Sequence, residues 1–344
     1  MSITLRAVAQ DAGVSISTAS RALNGSPLIS HETRTLVEGS AQKLGYRPNR
    51  AASALRSKRS RLIGLVMNNL VNHSFHTIAE VTQRKAASEG YQVILSTTGG
   101  DPAAEQDLLR TLSDHGVDGT LIIGSGQNAA TTNGFLADGM AVVNVIRSSR
   151  DSLAPTVLAA DRDGAFEATR HLAGLGHRRI GYIGGEPTSD SGRERHAGYS
   201  EALEAEGLAY DPDLVIRGPF TQDFGADAAR ELLARRTGMT ALFAANHEAV
   251  FGVLPVLAAE QVRIPDDLAL ACFEDMPLLQ MWHPPVTVVD NGASEIAELA
   301  VDLLLNQIGA PTDPENLRRL ARTYRVGARL IERASTAPPV TRKS

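Results

Sequence analysis

The sequence predicts a protein in two parts: an all-α helix-turn-helix head with a short hinge helix, then an α/β body of two doubly wound parallel-sheet subdomains. Three observations predict it. Residues 1–61 show helical periodicity only and carry ten Lys/Arg against three Asp/Glu. From residue 62 the pattern switches to apolar runs of strand length alternating with helical stretches. A chain of 344 residues also exceeds one ordinary core.

Composition narrows the class. With 43% hydrophobic and 21% charged residues the chain is an ordinary globular one. The head carries +7, which leaves −12 on the rest of a chain whose total is −5. A basic head on an acidic body means that only the head is suited to a polyanion. The single cysteine, Cys272, excludes a disulfide framework within the chain, and its neighbours Leu270, Ala271 and Phe273 make it a buried strand thiol. The N-terminus lacks a basic-then-apolar signal, and no apolar run approaches the length of a membrane span, so a cytoplasmic protein with no membrane partner is expected.

In the head, Leu5, Val8, Ala9 and Ala12 repeat at i, i+3, i+4 and i+7, one apolar helix face. Thr4 stands at the N-cap, and Gly13 lets the chain turn. Ser15 caps a second helix over 16–23 with Ala19, Ala22 and Leu23 inward. Ser30 caps a third over 31–44 with Val37, Ala41 and Leu44 inward, stopped by Gly45. The outward face of the second helix holds Ile16, Ser17, Thr18, Ser20 and Arg21. Hydroxyls donate to phosphates or read base edges, and arginine bonds guanine bidentately, so this face fits the major groove of DNA. A solvated surface on a small helical domain is the bland alternative; the local charge weighs against it.

Pro48 ends the third helix, and Asn49 can cap about two further turns carrying Ala51, Ala52 and Leu55 on one stripe. A helix that short needs a partner helix, DNA or both. Leu55 is the bulky apolar residue available to wedge between minor-groove base steps. A flexible basic linker is the other reading of this stretch.

In the body, strand-length apolar runs fall at 62–67, 91–96, 120–123, 141–146, 157–160, 179–183, 214–216, 241–245, 268–273 and 286–289. Helical stretches lie between most of them, at 78–89, 105–115, 164–175, 194–206, 226–234 and 249–260. Near-continuous apolar strands separated by helices mean parallel sheets covered on both faces, and so many units exceed one sheet. Ligands bind beyond the carboxyl ends of such strands, so two facing subdomains make a cleft lined by strand-end residues. Those residues are Asn68, Asn72, His73, Ser74, Phe75, Ser125, Asp163, Arg193, Arg195, Phe220, Asn246, Glu274, Asp275 and Asn291. Carboxylates, amides and arginine around aromatic faces suit a polyhydroxylated or anionic small molecule. No dinucleotide, Walker, zinc-protease or serine-elbow motif occurs, so neither cofactor, metal nor enzymatic activity is expected. His171 and His177, and His73 and His76, read as capping and surface groups rather than a metal pair.

Residues 1–61 resemble the head and hinge of the lactose-repressor (LacI/GalR) family of bacterial transcription regulators. The resemblance rests on Thr4-Leu, Val8-Ala9, Ala12-Gly-Val-Ser15, Thr18-x-Ser20-Arg21, Leu23-Asn24, Ser30, Thr33-Arg34, Leu44-Gly-Tyr-x-Pro-Asn49 and Leu55. It continues through Leu175-Gly-His-Arg-Arg-Ile180, Arg193-x-Arg195-x-x-Gly198-Tyr199, Phe243-x-x-Asn246, Pro284-Pro-Val-Thr-Val-Val289 and Arg329-Leu-Ile-x-Arg333-x-Ser335-Thr336. The resemblance implies that Ile16, Ser17 and Arg21 read bases and that Thr4, Thr18, Ser20, Asn24, Ser30, Thr33 and Asn49 hold phosphates. It implies that Leu55 is the minor-groove wedge; Tyr46 and Ala52 complete the DNA-facing set. It implies that Arg195 contacts effector, with Phe220 as the aromatic beneath the ligand and a periplasmic-binding-protein-like body around them. Departures cluster at the cleft: His247 for aspartate, Cys272-Phe-Glu-Asp275 for Gly-Tyr/Phe-Asp-Asp, Asn72-His-Ser-Phe75 for Asn-Pro-Phe-Phe, and Asn291 for glutamine.

The expected organisation is a DNA-binding head at 1–46, a hinge helix and linker at 47–61, and an effector-binding and dimerisation domain at 62–335. The resemblance implies three crossings between subdomains, near 160, 290 and 322. The N-subdomain is then 62–160 with 291–321, the C-subdomain 161–290 with 322–335, and 336–344 a disordered tail. The expected partners are pseudo-palindromic operator DNA, a sugar-like effector and a second copy of the chain. A periplasmic-type sugar-binding protein without a DNA role would share the body but not the basic head. A constitutive architectural DNA binder would not need the cleft.

Overall fold

The computed structural model describes residues 3–23, 25–26, 28–46, 59–149, 151–310, 319 and 321–339. It divides into two units, Met1–Arg61 and Leu62–Ser344. The expected hinge helix, with Asn49, Ala52 and Leu55, lies outside the described residues, as does Asn24.

The first unit has helices α1 (Leu5–Asp11), α2 (Ile16–Leu23) and α3 (His31–Leu44). Each begins at a hydroxyl cap. Thr4 accepts from the Ala7 amide, Ser15 from the Thr18 amide and Ser30 from the Thr33 amide. Such caps satisfy amides that have no partner inside the helix. Val8, Ala9, Ala12, Ala19, Ala22, Val37 and Ala41 form the core. Alanine and valine bury little apolar area, so the three helices pack closely around a small core. Tyr46, expected to face DNA, packs against this core.

The second unit holds two lobes. The N-lobe contains β1 (Leu62–Met67), α4 (His73–Ser88), β2 (Gln92–Thr97), α5 (Pro102–Asp114), β3 (Gly119–Ile123), α6 (Ala129–Ala137), β4 (Ala141–Val145) and β5 (Thr156–Ala159). The C-lobe contains α7 (Asp161–Gly174), β6 (Ile180–Gly184), α8 (Asp190–Ala205), β7 (Val215–Arg217), α9 (Gln222–Ala234), β8 (Ala241–Ala244), α10 (His247–Ala259), β9 (Ala269–Phe273), α11 (Pro277–Met281) and β10 (Thr287–Asp290). The chain returns to the N-lobe for α12 (Ala293–Gln307) and β11 (Thr323–Val326), and ends in the C-lobe with β12 (Arg329–Ile331).

The N-lobe sheet runs β11-β5-β4-β3-β1-β2, and all its pairs are parallel. The C-lobe sheet runs β12-β10-β9-β8-β6-β7, parallel except where β12 meets β10. Each sheet is covered on both faces. Ile78, Val81, Ile296 and Val301 pack on one face of the first, Leu109, Leu112 and Leu136 on the other. In the second, α9 and α10 cover one face with Leu232 and Val253, and α7 and α8 the other with Leu172 and Tyr199. Both apolar faces are removed from water, as the unbroken apolar runs require.

Two expectations are corrected. The third crossing is not near 322: Thr323–Val326 pairs with β5 in the N-lobe, so the chain crosses at Gly327-Ala328. The closing segment is also not loose from 336. Ser335 is fully buried, the Thr336 hydroxyl meets His171 at 3.0 Å, and the Ala337 carbonyl meets His177 at 2.8 Å. Among the described residues no helix is long and apolar enough to cross a membrane.

Candidate functional site

The carboxyl ends of the strands in the two lobes face each other across a cleft of about 630 Å³. The N-lobe wall carries Asn68 after β1, Phe75 on α4, Ser125 after β3, and Ile146 and Arg147 after β4. The C-lobe wall carries Glu186 after β6, Arg195 on α8, Phe220 after β7, Asn246 after β8 and Glu274 after β9.

Arg195 is the floor of the C-lobe wall and is buried. Its Nε donates to Asp161 at 2.6 Å, Nη1 to the Ala245 carbonyl at 2.6 Å and Nη2 to Glu274 at 3.2 Å. Its plane stacks on Phe273, 3.8 Å from the ring centroid, with Phe220 at 5.6 Å. Buried charges demand such pairing, because either partner alone would carry its full desolvation cost. Glu274 has a left-handed backbone, φ 76°, and its second oxygen lies 2.5 Å from Nδ1 of His247. Burial raises the Glu274 carboxyl, but Arg195 and His247 overcome it and hold the group well below the usual carboxylate range. Burial likewise disfavours the His247 cation, yet the hydrogen bond and charge of Glu274 leave its pKa raised.

The N-lobe wall is arranged differently. Arg147 donates to the Gly124 carbonyl at 3.4 Å. With the Asn68 amide oriented toward its partners, its oxygen accepts from Arg147 at 2.9 and 3.1 Å and its nitrogen donates to the Ile123 carbonyl at 3.1 Å. No carboxylate among the described residues forms an ion pair with Arg147. Ile146, just before it, has φ 67°, and the Arg147 amide bonds back to the Val145 carbonyl at 2.7 Å. This tight turn is a strained conformation for a β-branched residue, and it sits at the cleft. Behind the same wall, buried Glu105 accepts from the Ser125 amide at 2.5 Å and from Asn128 at 2.9 Å, which pins the loop after β3. A Cβ on Gly124 would lie 2.6 Å from the Glu105 carboxylate and would displace this pin.

Of the expected cleft residues, Asn68, Asn72, Phe75, Ser125, Arg195, Phe220, Asn246 and Glu274 line the cavity. The others do not. Ser74 is buried and accepts from Asn291 at 3.1 Å, so these two tie the second crossing to α4. Asp163 is exposed, and Asp161 takes the place beside Arg195. Asp275 pairs with Arg333 at 2.7 Å, away from the cleft. His73 meets His247 through its backbone amide rather than through the cavity. Sequence reasoning missed Arg147, Asp161, Glu186, Ser191, Thr221 and Glu248. For all but Ser191, which stands in the first turn of α8, the shared signal is position, within a few residues of the end of a strand.

In the first unit, α2 exposes Ile16, Ser17 and Arg21, with Arg21 lying back on the Ser17 carbonyl at 3.4 Å. Thr18 and Ser20 are half-buried. Thr33 bonds the Ser30 hydroxyl at 2.9 Å.

This combination of a capped helix-turn-helix unit and a two-lobed α/β unit is that of a ligand-responsive DNA-binding regulator. Residues 4–49 match the model of the bacterial regulatory proteins of the lacI family, and residues 169–336 match a periplasmic binding protein-like domain. The chain is 35% identical over 325 residues to the HTH-type transcriptional regulator CelR of Thermobifida fusca, covering 91% of this chain and 94% of that one. Among solved structures it is similar to a transcriptional regulator CelR–cellobiose complex, with 30% identity, TM-score 0.72 and coverage of 97% of this chain and 100% of the other. A lac repressor dimer bound to operator shares the fold, at 24% identity, TM-score 0.81 and coverage of 98% and 100%. The chain belongs to the lacI family of bacterial regulatory proteins, and it is a DNA-binding transcriptional regulator rather than an enzyme.

Proposed function

We propose that this regulator is a repressor whose hold on operator DNA is set by a sugar or sugar derivative bound in the cleft. The carrying observation is Asn246. Its Oδ1 caps α10 by accepting from the Ala249 amide at 3.1 Å, while its Nδ2 is buried at the cleft wall without a partner. A buried donor left unmade costs about 1–3 kcal/mol, and a ligand oxygen would satisfy it. Around it stand groups that accept (Glu186, Glu248), groups that donate (Arg147) and two rings (Phe75, Phe220). Sugar hydroxyls use both kinds of polar group and sugar C–H faces use the rings. The cellobiose held by a solved relative supports the same class.

In this reading Ile16, Ser17 and Arg21 read bases, and Thr4, Thr18, Ser20, Asn24, Ser30, Thr33 and Asn49 hold phosphates. Leu55 wedges the minor groove, with Tyr46 and Ala52 supporting the contact. Two copies of the chain bind a pseudo-palindrome in the cytoplasm, joined to the nucleoid while bound. The effector closes the lobes about the three crossings and changes how the hinges leave the body. A coupling of about 1–3 kcal/mol corresponds to roughly 5- to 150-fold in operator affinity. Release of operator is the direction expected.

The test selects a binding site from randomised duplexes with the full chain. Operator affinity is then titrated by fluorescence anisotropy with and without cellobiose, other sugars, sugar acids and polyols. An affinity shift in that range, with a matching thermal shift, is expected from one panel member. Operator binding indifferent to the whole panel overturns the effector reading. Replacing Arg21 with Ala should erase discrimination between selected and scrambled duplexes, and retained discrimination would refute its base-reading role.

A further inference from the structure

The two lobes touch where two helices begin. The His73 amide, in the first turn of α4, donates to Nε2 of His247, the first residue of α10, at 3.5 Å. Beside it the Asn72 side-chain amide donates to Glu248 at 3.3 Å. First-turn amides have no acceptor within their own helix, so the His73 N–H needs an outside one. Nε2 can accept only while it carries its lone pair. The other ring nitrogen faces Glu274 at 2.5 Å and so holds the proton in the neutral ring. A continuous polar chain then runs from the His73 amide through His247 and Glu274 to Arg195, the guanidinium at the cleft floor, and on to Asp161.

We propose that His247 is a positioning residue that couples the effector seat at Arg195 to closure of the cleft, with one proton as its switch. This rests on reading the cleft as the effector site. Neutral His247 accepts from His73 and holds the lobes together. A second proton, on Nε2, sets one N–H against another and places a cation between two helix N-termini, both of which repel positive charge. The lobes then part.

The groups facing His247 fix the sign. Glu274 from the end of β9 and Glu248 from α10 favour the cation, while burial and Arg195 from α8 oppose it; across the lobe boundary the His73 ring of α4 and His247 disfavour each other's charge, and His73 itself also faces His76 and Asp275. The Phe251 ring, on the same helix, meets the imidazole in a T-shaped arrangement with centroids 6.0 Å apart. Because Glu274 holds His247 above the usual imidazole range, the switch operates at and above that range, and acidification opens the cleft.

The experiment reads the distance between the lobes in the effector-free full chain. Labels go on Asp107→Cys and Arg230→Cys, whose side chains are exposed in different lobes, and the buried Cys272 stays unlabelled. From about pH 8.5 to about pH 6 the distance should change by more than about 2 Å along a one-proton curve. His247→Gln, which keeps an amide acceptor but cannot titrate, should flatten the curve. His73→Pro removes the donor N–H together with the His73 imidazole and suits a first helical position, and Asn72 already has the extended backbone that must precede proline. It should hold the lobes apart at every pH. Circular dichroism confirms that each variant is folded over the range. A flat wild-type curve, or a curve that survives in His247→Gln, overturns the proposal. No effector is needed, so the latch can fail while the sugar panel succeeds, and the reverse.

Discussion

On the C-lobe wall of the cleft every charge near the floor is matched: Asp161 and Glu274 flank Arg195, and His247 takes the second oxygen of Glu274. On the N-lobe wall Arg147 is held by an amide and a carbonyl, with no carboxylate ion pair among the described residues. The same residue type therefore serves two ends. Arg195 is part of what holds the lobe together, and its remaining hydrogen-bonding capacity is presented in a fixed place. Arg147 keeps its charge available to whatever enters. A cleft built this way has one preorganised wall and one responsive wall.

Removing Arg195 gives the largest expected effect. Arg195→Ala leaves Asp161 and Glu274 buried without their cation, which should cost about 3–5 kcal/mol in urea unfolding of the full chain. A loss within 1 kcal/mol, at about the size of an ordinary surface change, would show that the wall is not preorganised by this network. The next effect is on acid stability. Glu274 titrates lower in the fold than in the open chain, so its contribution is full above the ordinary carboxylate pKa of about 4. That contribution is lost as the pH falls through the folded value, and Glu274→Gln should flatten this part of the stability curve. His247 has the opposite sign: its pairing contributes below the ordinary imidazole range and is lost as pH rises through its raised value. The smallest stability change belongs to Arg147→Gln, within about 1 kcal/mol, with loss of effector response. Equal losses of stability in the two arginine variants would erase the distinction between the walls.

The strands were legible because a strand buried on both faces leaves an unbroken apolar run that ends where the cleft begins. Helix starts in the body were less so, and always in the same direction. The apolar pattern of α4 begins at Ile78 but the helix begins at His73, and α7 begins at Asp161 rather than at Gly164. First turns at strand ends face the cleft, so they are polar, and polar residues hide the helical period. Asp161 and Asp163 show the consequence. Both stand in one first turn, but residues two apart on a helix point about 200° apart, so one meets Arg195 and the other meets water. Glu274 and Asp275 part for a different reason: the left-handed backbone at Glu274 turns the chain, sending one acid to Arg195 and the next to Arg333. Neither choice can be made from composition. The third crossing was missed because β11 is short and half-exposed, an edge strand with little apolar signal.

That edge strand has a bearing on how the protein is made. The N-lobe core includes Ile296, Ala300 and Leu304 of α12, and its sheet is completed by β11. A ribosome therefore delivers the whole C-lobe segment from α7 to β10 before it delivers the last pieces of the lobe that came first. Domains generally fold as units during synthesis, beginning at the N-terminus. Here the first lobe must wait, with the apolar face that α12 will cover still open, until nearly the entire chain has emerged. Chains cut short before α12 is complete lack the means to close that face, and are the ones expected to aggregate or be degraded.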